Sequence, residues 1–145
     1  ALRRLAGHGA MASLTINHHQ AKEFLTDLGQ PAEGVGIAAV NGPGSVVVSG
    51  PPEQIAHAVA ACEQTGHRAR LIDVDYASHS AQVDQIAQEL HELLAGVKPV
   101  PGHVAFYSTV TGTRMDTSGL DTDYWVTNLR EQVRFADALQ ALLAD

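Results

Sequence analysis

The chain has 145 residues, enough for one ordinary domain or two small subdomains, and its 45% apolar and 17% charged content excludes disorder, collagen-like repetition and coiled coil. Its formal charge of −7 is spread along the chain, +2 over residues 1–10, −4 over 11–75 and −5 over 76–145, and the absence of a Lys/Arg stripe argues against nucleic-acid and anionic-membrane partners. One cysteine, Cys62, precludes a disulfide framework and fits a reducing cytoplasm; apolar runs are too short for a membrane span, no secretion leader stands at the start, and eight scattered histidines give no metal spacing.

Ala1–Leu5 reads as the tail of a helix closed by Gly7 and Gly9, with no N-cap before it, which is expected of a piece of a longer chain. Met11–Ile16 is a short strand. Asn17 and Gln20 form a capping box for a helix whose stripe is Ala21, Phe24, Leu25 and Leu28, ended by Gly29. Val35–Val40 and Ser45–Ser49 flank Asn41-Gly42-Pro43-Gly44, and Asn-Gly between β-branched runs predicts a hairpin turn. Pro51-Pro52-Glu53 opens a second helix, buried through Ile55, Val59 and Cys62 and ended by Gly66, and His67–Tyr76 is a strand. Strand, helix, strand, strand, helix, strand is the βαββαβ order of a ferredoxin-like unit, expected over residues 11–75, with residues 1–10 as an incoming segment.

Beyond residue 76 the pattern changes to α/β of another kind. Val83, Ile86, Ala87, Leu90, Leu93 and Leu94 predict one long helix ended by Gly96. Val104–Val110 is predicted as a single buried strand needing sheet partners from elsewhere, followed by a Thr111-Gly112 turn. Asp121 caps a short helix carrying Tyr124, Trp125 and Leu129, and Phe135, Ala138, Leu139, Leu142 and Leu143 stripe a final one.

Residues that could do chemistry are few. No Gly-x-Ser-x-Gly elbow or Gly-rich phosphate loop is present, and Cys62 lies on an apolar helix face, the position of a small buried hydrophobe rather than a reactive thiol. His79 stands apart in Asp75-Tyr76-Ala77-Ser78-His79-Ser80, where a strand gives way to a helix. A helix N-terminus disfavours imidazolium, leaving a ring able to accept a proton; alternatively His79 belongs to a capping segment and faces water. His8, His18, His19, His57, His67, His91 and His103 read as solvated surface.

Several motifs occur in order: Gly9-Ala10-Met11; Val40-Asn41-Gly42-Pro43 with Val46–Gly50; Asp75–Ser80; Phe106–Gly112; and Tyr124-Trp125 with Asn128-Leu129-Arg130 and Val133-Arg134-Phe135. Together they closely resemble the acyltransferase domain of modular polyketide synthases, kin to the malonyl transferases of fatty-acid synthesis. The resemblance covers essentially the whole chain. It implies an α/β-hydrolase-like large subdomain, here incomplete and including residues 76–145, with the ferredoxin-like subdomain inserted. It also implies a ping-pong reaction, in which a serine takes an acyl group from coenzyme A and passes it to the phosphopantetheine thiol of an acyl carrier protein. No cofactor is expected on this segment, since acyl-CoA is substrate and phosphopantetheine belongs to the carrier. The remaining parts of the synthase chain are the other expected partners.

Residue by residue, the resemblance makes His79 the general base and Asn128 the residue whose backbone carbonyl receives the other imidazole N–H, fixing the tautomer. Asn41 matches a cleft-facing position, or is a turn residue tolerating positive φ, and Met11 either lines the same cleft or packs. Tyr76-Ala77-Ser78-His79 looks like the form associated with methylmalonyl-CoA, whereas malonyl-selective relatives carry His-Ala-Phe-His. A serine in place of phenylalanine frees volume for a C2 methyl; alternatively Ser78 is an N-cap. The family's serine elbow and its carboxylate-clamping arginine are expected upstream of residue 1, Arg3 and Arg4 being no substitutes, and the closing segment after Asp145. Residues 1–145 alone are then expected to be inactive. The competing reading is a non-catalytic ferredoxin-like interaction or small-molecule-binding module, in which His79 has neither partner nor pocket.

Overall fold

The computed structural model describes all of residues 1–145. Six strands and five α-helices follow one another as β1 (Ala10–Leu14), α1 (His18–Leu28), β2 (Gly36–Gly42), β3 (Ser45–Gly50), α2 (Pro52–Gln64), β4 (Ala69–Ile72), α3 (Ala87–Leu94), β5 (Phe106–Ser108), β6 (Thr113–Met115), α4 (Thr122–Arg130) and α5 (Phe135–Ala144). The first four strands form one sheet in the order β2-β3-β1-β4, every neighbouring pair antiparallel. That is the ferredoxin-like arrangement expected from the element order.

Local chemistry explains the boundaries. Asn17 and Gln20 close the capping box of α1 in both directions, the Gln20 N–H reaching Asn17 Oδ1 at 2.8 Å and the Asn17 N–H reaching Gln20 Oε1 at 3.0 Å. Gly29 and Gly66, both at positive φ, end the two helices of this unit. One face of the sheet is sealed by α1 and α2 around Ala12, Leu14, Val46, Val48, Ile55 and Cys62. Burial pushes the Cys62 thiol pKa up, which fits an inert core residue. On the opposite face Met11, Ala38, Ala39 and Val47 form a second cluster against Val74 and Val133. Alternation along β1 produces the division, since Ala12 and Leu14 point to the helices and Met11 to the other layer.

Four expectations about elements need correction. The hairpin turn is Pro43-Gly44, because Asn41 and Gly42 continue β2 and Gly42 pairs with Ser45. The fourth strand is only Ala69–Ile72; beyond it the chain turns, the Val74 N–H bonding Ile72 O, and Asp75 O accepts from the incoming segment instead of a strand. The long helix is divided, a 3₁₀ stretch over Ala81–Ile86 preceding α3. Val104–Val110 is not a single buried strand: Val104 is 84% exposed, and β5 turns back on β6 through Gly112 at φ 72. The short hairpin pairs one edge of β5 with β6.

A third apolar cluster, Leu5, Val83 and Ile86, is flanked by Tyr76, Leu90 and Leu129. On α5, Phe135, Leu139, Leu142 and Leu143 are left exposed. No helix is long and apolar enough to cross a membrane.

Backbone hydrogen bonds join the layers at two places. Where the incoming and outgoing segments of the four-stranded unit cross, the N–H groups of Gly7 and Gly9 both donate to Asp75 O, at 2.8 and 3.4 Å. At the far side, Val133 runs along the free edge of β2 as a parallel bridge to Ala39, its N–H donating to Ala38 O at 2.8 Å and its carbonyl accepting from the Val40 N–H at 2.9 Å.

Candidate active site

His79 lies where these layers meet. Its backbone is in the left-handed region at φ 55, alone among non-glycine residues, a conformation that surrounding contacts must hold. The holding contacts come from the carboxyl end of α4. The His79 N–H donates to Leu129 O at 2.8 Å, and the imidazole Nδ1 lies 2.8 Å from Glu131 O. A carbonyl oxygen can only accept, so Nδ1 carries a proton, and with one proton on the ring the lone pair is on Nε2.

The ring borders a cleft of about 390 Å³ whose walls come from both layers. Gly34, Val35, Gly36 and Ile37 supply one side, and Arg130, Glu131 and Gln132 the other. Arg130 Nε donates to Asp84 Oδ1 at 2.7 Å, and that carboxylate raises the guanidinium above its already high ordinary pKa, fixing a cation at the rim.

Two expectations about His79 are corrected here. The carbonyl that meets its ring belongs to Glu131, not Asn128. Asn128 is still inside α4, whereas Glu131 has left helical geometry at φ −85, ψ 161, which turns its carbonyl toward the ring. The helix N-terminus argument does not apply either. His79 is succeeded by a 3₁₀ stretch capped by Ser80, and its ring touches the carbonyl end of a different helix.

The neighbouring motif residues point elsewhere. Tyr76 packs on the Leu5–Val83–Ile86 cluster, and Ala77 is wholly buried. Ser78 is also buried, and its hydroxyl donates to Met11 Sδ at 3.3 Å, joining the two layers directly beside His79. Ser78 is not the cap: Ser80 Oγ accepts from the Gln82 N–H at 3.2 Å. Met11 is therefore packed within the interlayer cluster rather than open to the cleft. Asn41 is exposed on β2, has no positive φ, and is not among the cleft residues. His18 also departs from the solvated reading, since its Nε2 is shielded without a partner.

Sequence reasoning missed Glu131, Gln132 and Arg130 as cleft residues. The block Asn128–Arg134 was the available signal, but a backbone carbonyl leaves no side-chain signature by which to choose among its residues.

The site is thus an imidazole anchored on a main-chain oxygen, in a cleft between a ferredoxin-like sheet and a second α/β layer. The chain belongs to the acyl transferase domain family, whose model matches residues 1–145. It is 51% identical over 145 residues to Erythronolide synthase EryA3 of Saccharopolyspora erythraea, a match covering 97% of this chain and 4% of that protein. It is 50% identical over 145 residues to Polyketide synthase GfsE of Streptomyces halstedii, covering 100% and 4%. Among solved structures, the acyltransferase domain from module 8 of the salinomycin polyketide synthase superposes with a TM-score of 0.92 at 45% identity, over 99% of this chain and 33% of that one. The loading acyltransferase from the avermectin modular polyketide synthase gives 0.90 at 37% identity, over 97% and 45%. The chain thus spans a small part of the synthases it matches and less than half of these solved chains.

Proposed function

We propose that residues 1–145 form the histidine-bearing part of a polyketide synthase acyltransferase domain that loads an extender unit from coenzyme A onto an acyl carrier protein. The observation that carries this reading is the His79 ring, with Nδ1–H held by Glu131 O and Nε2 left as the base beside the cleft. Residues 1–145 contain no Gly-x-Ser-x-Gly, so the acyl-carrying serine is assigned to a part of the domain outside them.

In the first half-reaction Nε2 takes the serine hydroxyl proton as the oxygen attacks the thioester carbonyl. The C–S bond breaks, and the departing thiolate receives that proton from Nε2. In the second, Nε2 takes the proton of the carrier's phosphopantetheine thiol. The sulfur attacks the acyl ester, the C–O bond breaks, and the serine oxygen recovers a proton. No cofactor is held by this segment in either step.

The test is transfer of radiolabelled methylmalonyl from coenzyme A. The complete domain containing these residues is expected to label both itself and its carrier protein, and the isolated 145-residue chain neither. Label bound covalently to the isolated chain would overturn the assignment of the serine. A non-catalytic ferredoxin-like module would leave His79 without partner or pocket; its two hydrogen bonds to the end of α4 favour the catalytic reading.

The extender unit is proposed to be methylmalonyl. In support, Ser78 is small, buried and tied to Met11 next to His79, so a bulkier side chain there would have to displace Met11 and disturb the packing beside His79. Ser78→Phe in the complete domain is expected to lower the methylmalonyl to malonyl ratio of kcat/KM by about tenfold, the worth of one methyl group in a pocket. An unchanged ratio would remove Ser78 from the selectivity argument.

A further inference from the structure

We propose that Gln132 is a positioning residue for His79, an inference that rests on reading His79 as the general base. The Glu131 carbonyl that holds Nδ1 belongs to the peptide plane shared by Glu131 and Gln132, so whatever fixes Gln132 fixes the tautomer. α4 has ended at Arg130, and no backbone N–H donates to Glu131 O. The plane is instead held from its other end. Gln132 Nε2 donates to Ile37 O at 3.1 Å, and the next residue, Val133, is clamped to Ala38 and Val40.

The register of β2 explains why a side chain is used. The β2–β3 ladder shifts between Ile37 and Ala39, so the free edge of β2 is broken there. Val133 bonds this edge at Ala38 and Val40, and the Gln132 amide supplies the donor one residue earlier, at Ile37. Removing it leaves the Glu131–Gln132 peptide plane held only through its neighbours, the Glu131 N–H on Thr127 O at 2.8 Å and Val133 on the edge of β2, so His79 faces an acceptor whose direction is less tightly set.

The test uses long-range ¹H–¹⁵N correlation spectra of the complete domain labelled with ¹⁵N at histidine, which report the tautomer of His79 directly. Wild type is expected in the Nδ1–H form. Gln132→Met keeps length but loses the donor, and is expected to lower the ratio of Nδ1–H to Nε2–H by about fivefold, the effect of one hydrogen bond. Gln132→Lys, which restores a donor at similar reach, is expected to return the ratio toward wild type. A ratio unchanged by Gln132→Met, or lowered equally by both variants, overturns the proposal. A wild-type ring in the Nε2–H form overturns it without any variant, even if a variant fails to fold.

In the complete domain, Gln132→Met is expected to lower kcat about tenfold while leaving KM for the acyl-CoA unchanged, as a misdirected base would. The spectra do not depend on acyl transfer. A domain with no transferase activity but the expected tautomer shifts would sink the functional reading alone, and an active domain with no shifts would sink this one alone.

Discussion

His79→Asn in the complete acyltransferase domain is expected to lower acyl transfer by about 10³-fold or more, because in the proposed reaction one base serves both half-reactions. Asparagine is the informative replacement. It tolerates the left-handed backbone that His79 adopts at φ 55, and its amide can still donate to Glu131 O, yet it offers no basic nitrogen to the cleft. Its folded stability is therefore expected to stay close to wild type in urea denaturation, which separates loss of chemistry from loss of structure. Retention of a tenth or more of the wild-type rate would show that the proton goes elsewhere.

The second large effect is on stability. A Cβ added at Gly9 would sit 2.2 Å from Ala77 N and 2.7 Å from Tyr76 C, both backbone atoms that cannot step aside like a flexible side chain. Gly9→Ala must therefore pry the incoming segment from Tyr76-Ala77 and loosen the bonds that Gly7 and Gly9 share on Asp75 O. We expect a loss of about 3 kcal/mol, at the upper end for overpacking, read as a lower urea midpoint. Gly44→Ala is the control: its added Cβ meets nothing within 4 Å and its φ is not positive, so it should shift the midpoint little. Equal behaviour of the two variants would mean that the crossing is looser than its packing implies.

What could be read in the sequence was what side chains encode locally. The Asn17–Gln20 capping box, the stripe of α1 and the Asp121 cap of α4 are set by residues within a turn or two of each other. Less legible was anything decided by register. Asn41-Gly42 carries the composition of a turn, yet continued pairing of Gly42 with Ser45 moves the loop to Pro43-Gly44. β6 has three residues, Thr113–Met115, too few for any periodicity to betray it, so β5 looked unpartnered.

The same division runs through the candidate site. His79 could be singled out because the group proposed to react is a side chain. Its anchor could not, because Asn128 and Glu131 differ there only in which peptide oxygen has left the helix. Likewise the Ser78–Met11 contact joins residues 67 positions apart, and only the packing of the two layers brings them together.

The crossing of the incoming and outgoing segments has a practical corollary. Gly7 and Asp75, bonded at 2.8 Å, make a single doorway through which the chain enters and leaves the four-stranded sheet. A unit whose ends are already side by side can be excised and grafted without stretching its host. Exchange of the stretch between these two residues among related synthases would leave the Leu5–Val83–Ile86 cluster intact, and the seams that need re-matching include Gly9 against Tyr76-Ala77, His8 against Gln82, Met11 against Ser78, and the free edge of β2 against Gln132 and Val133.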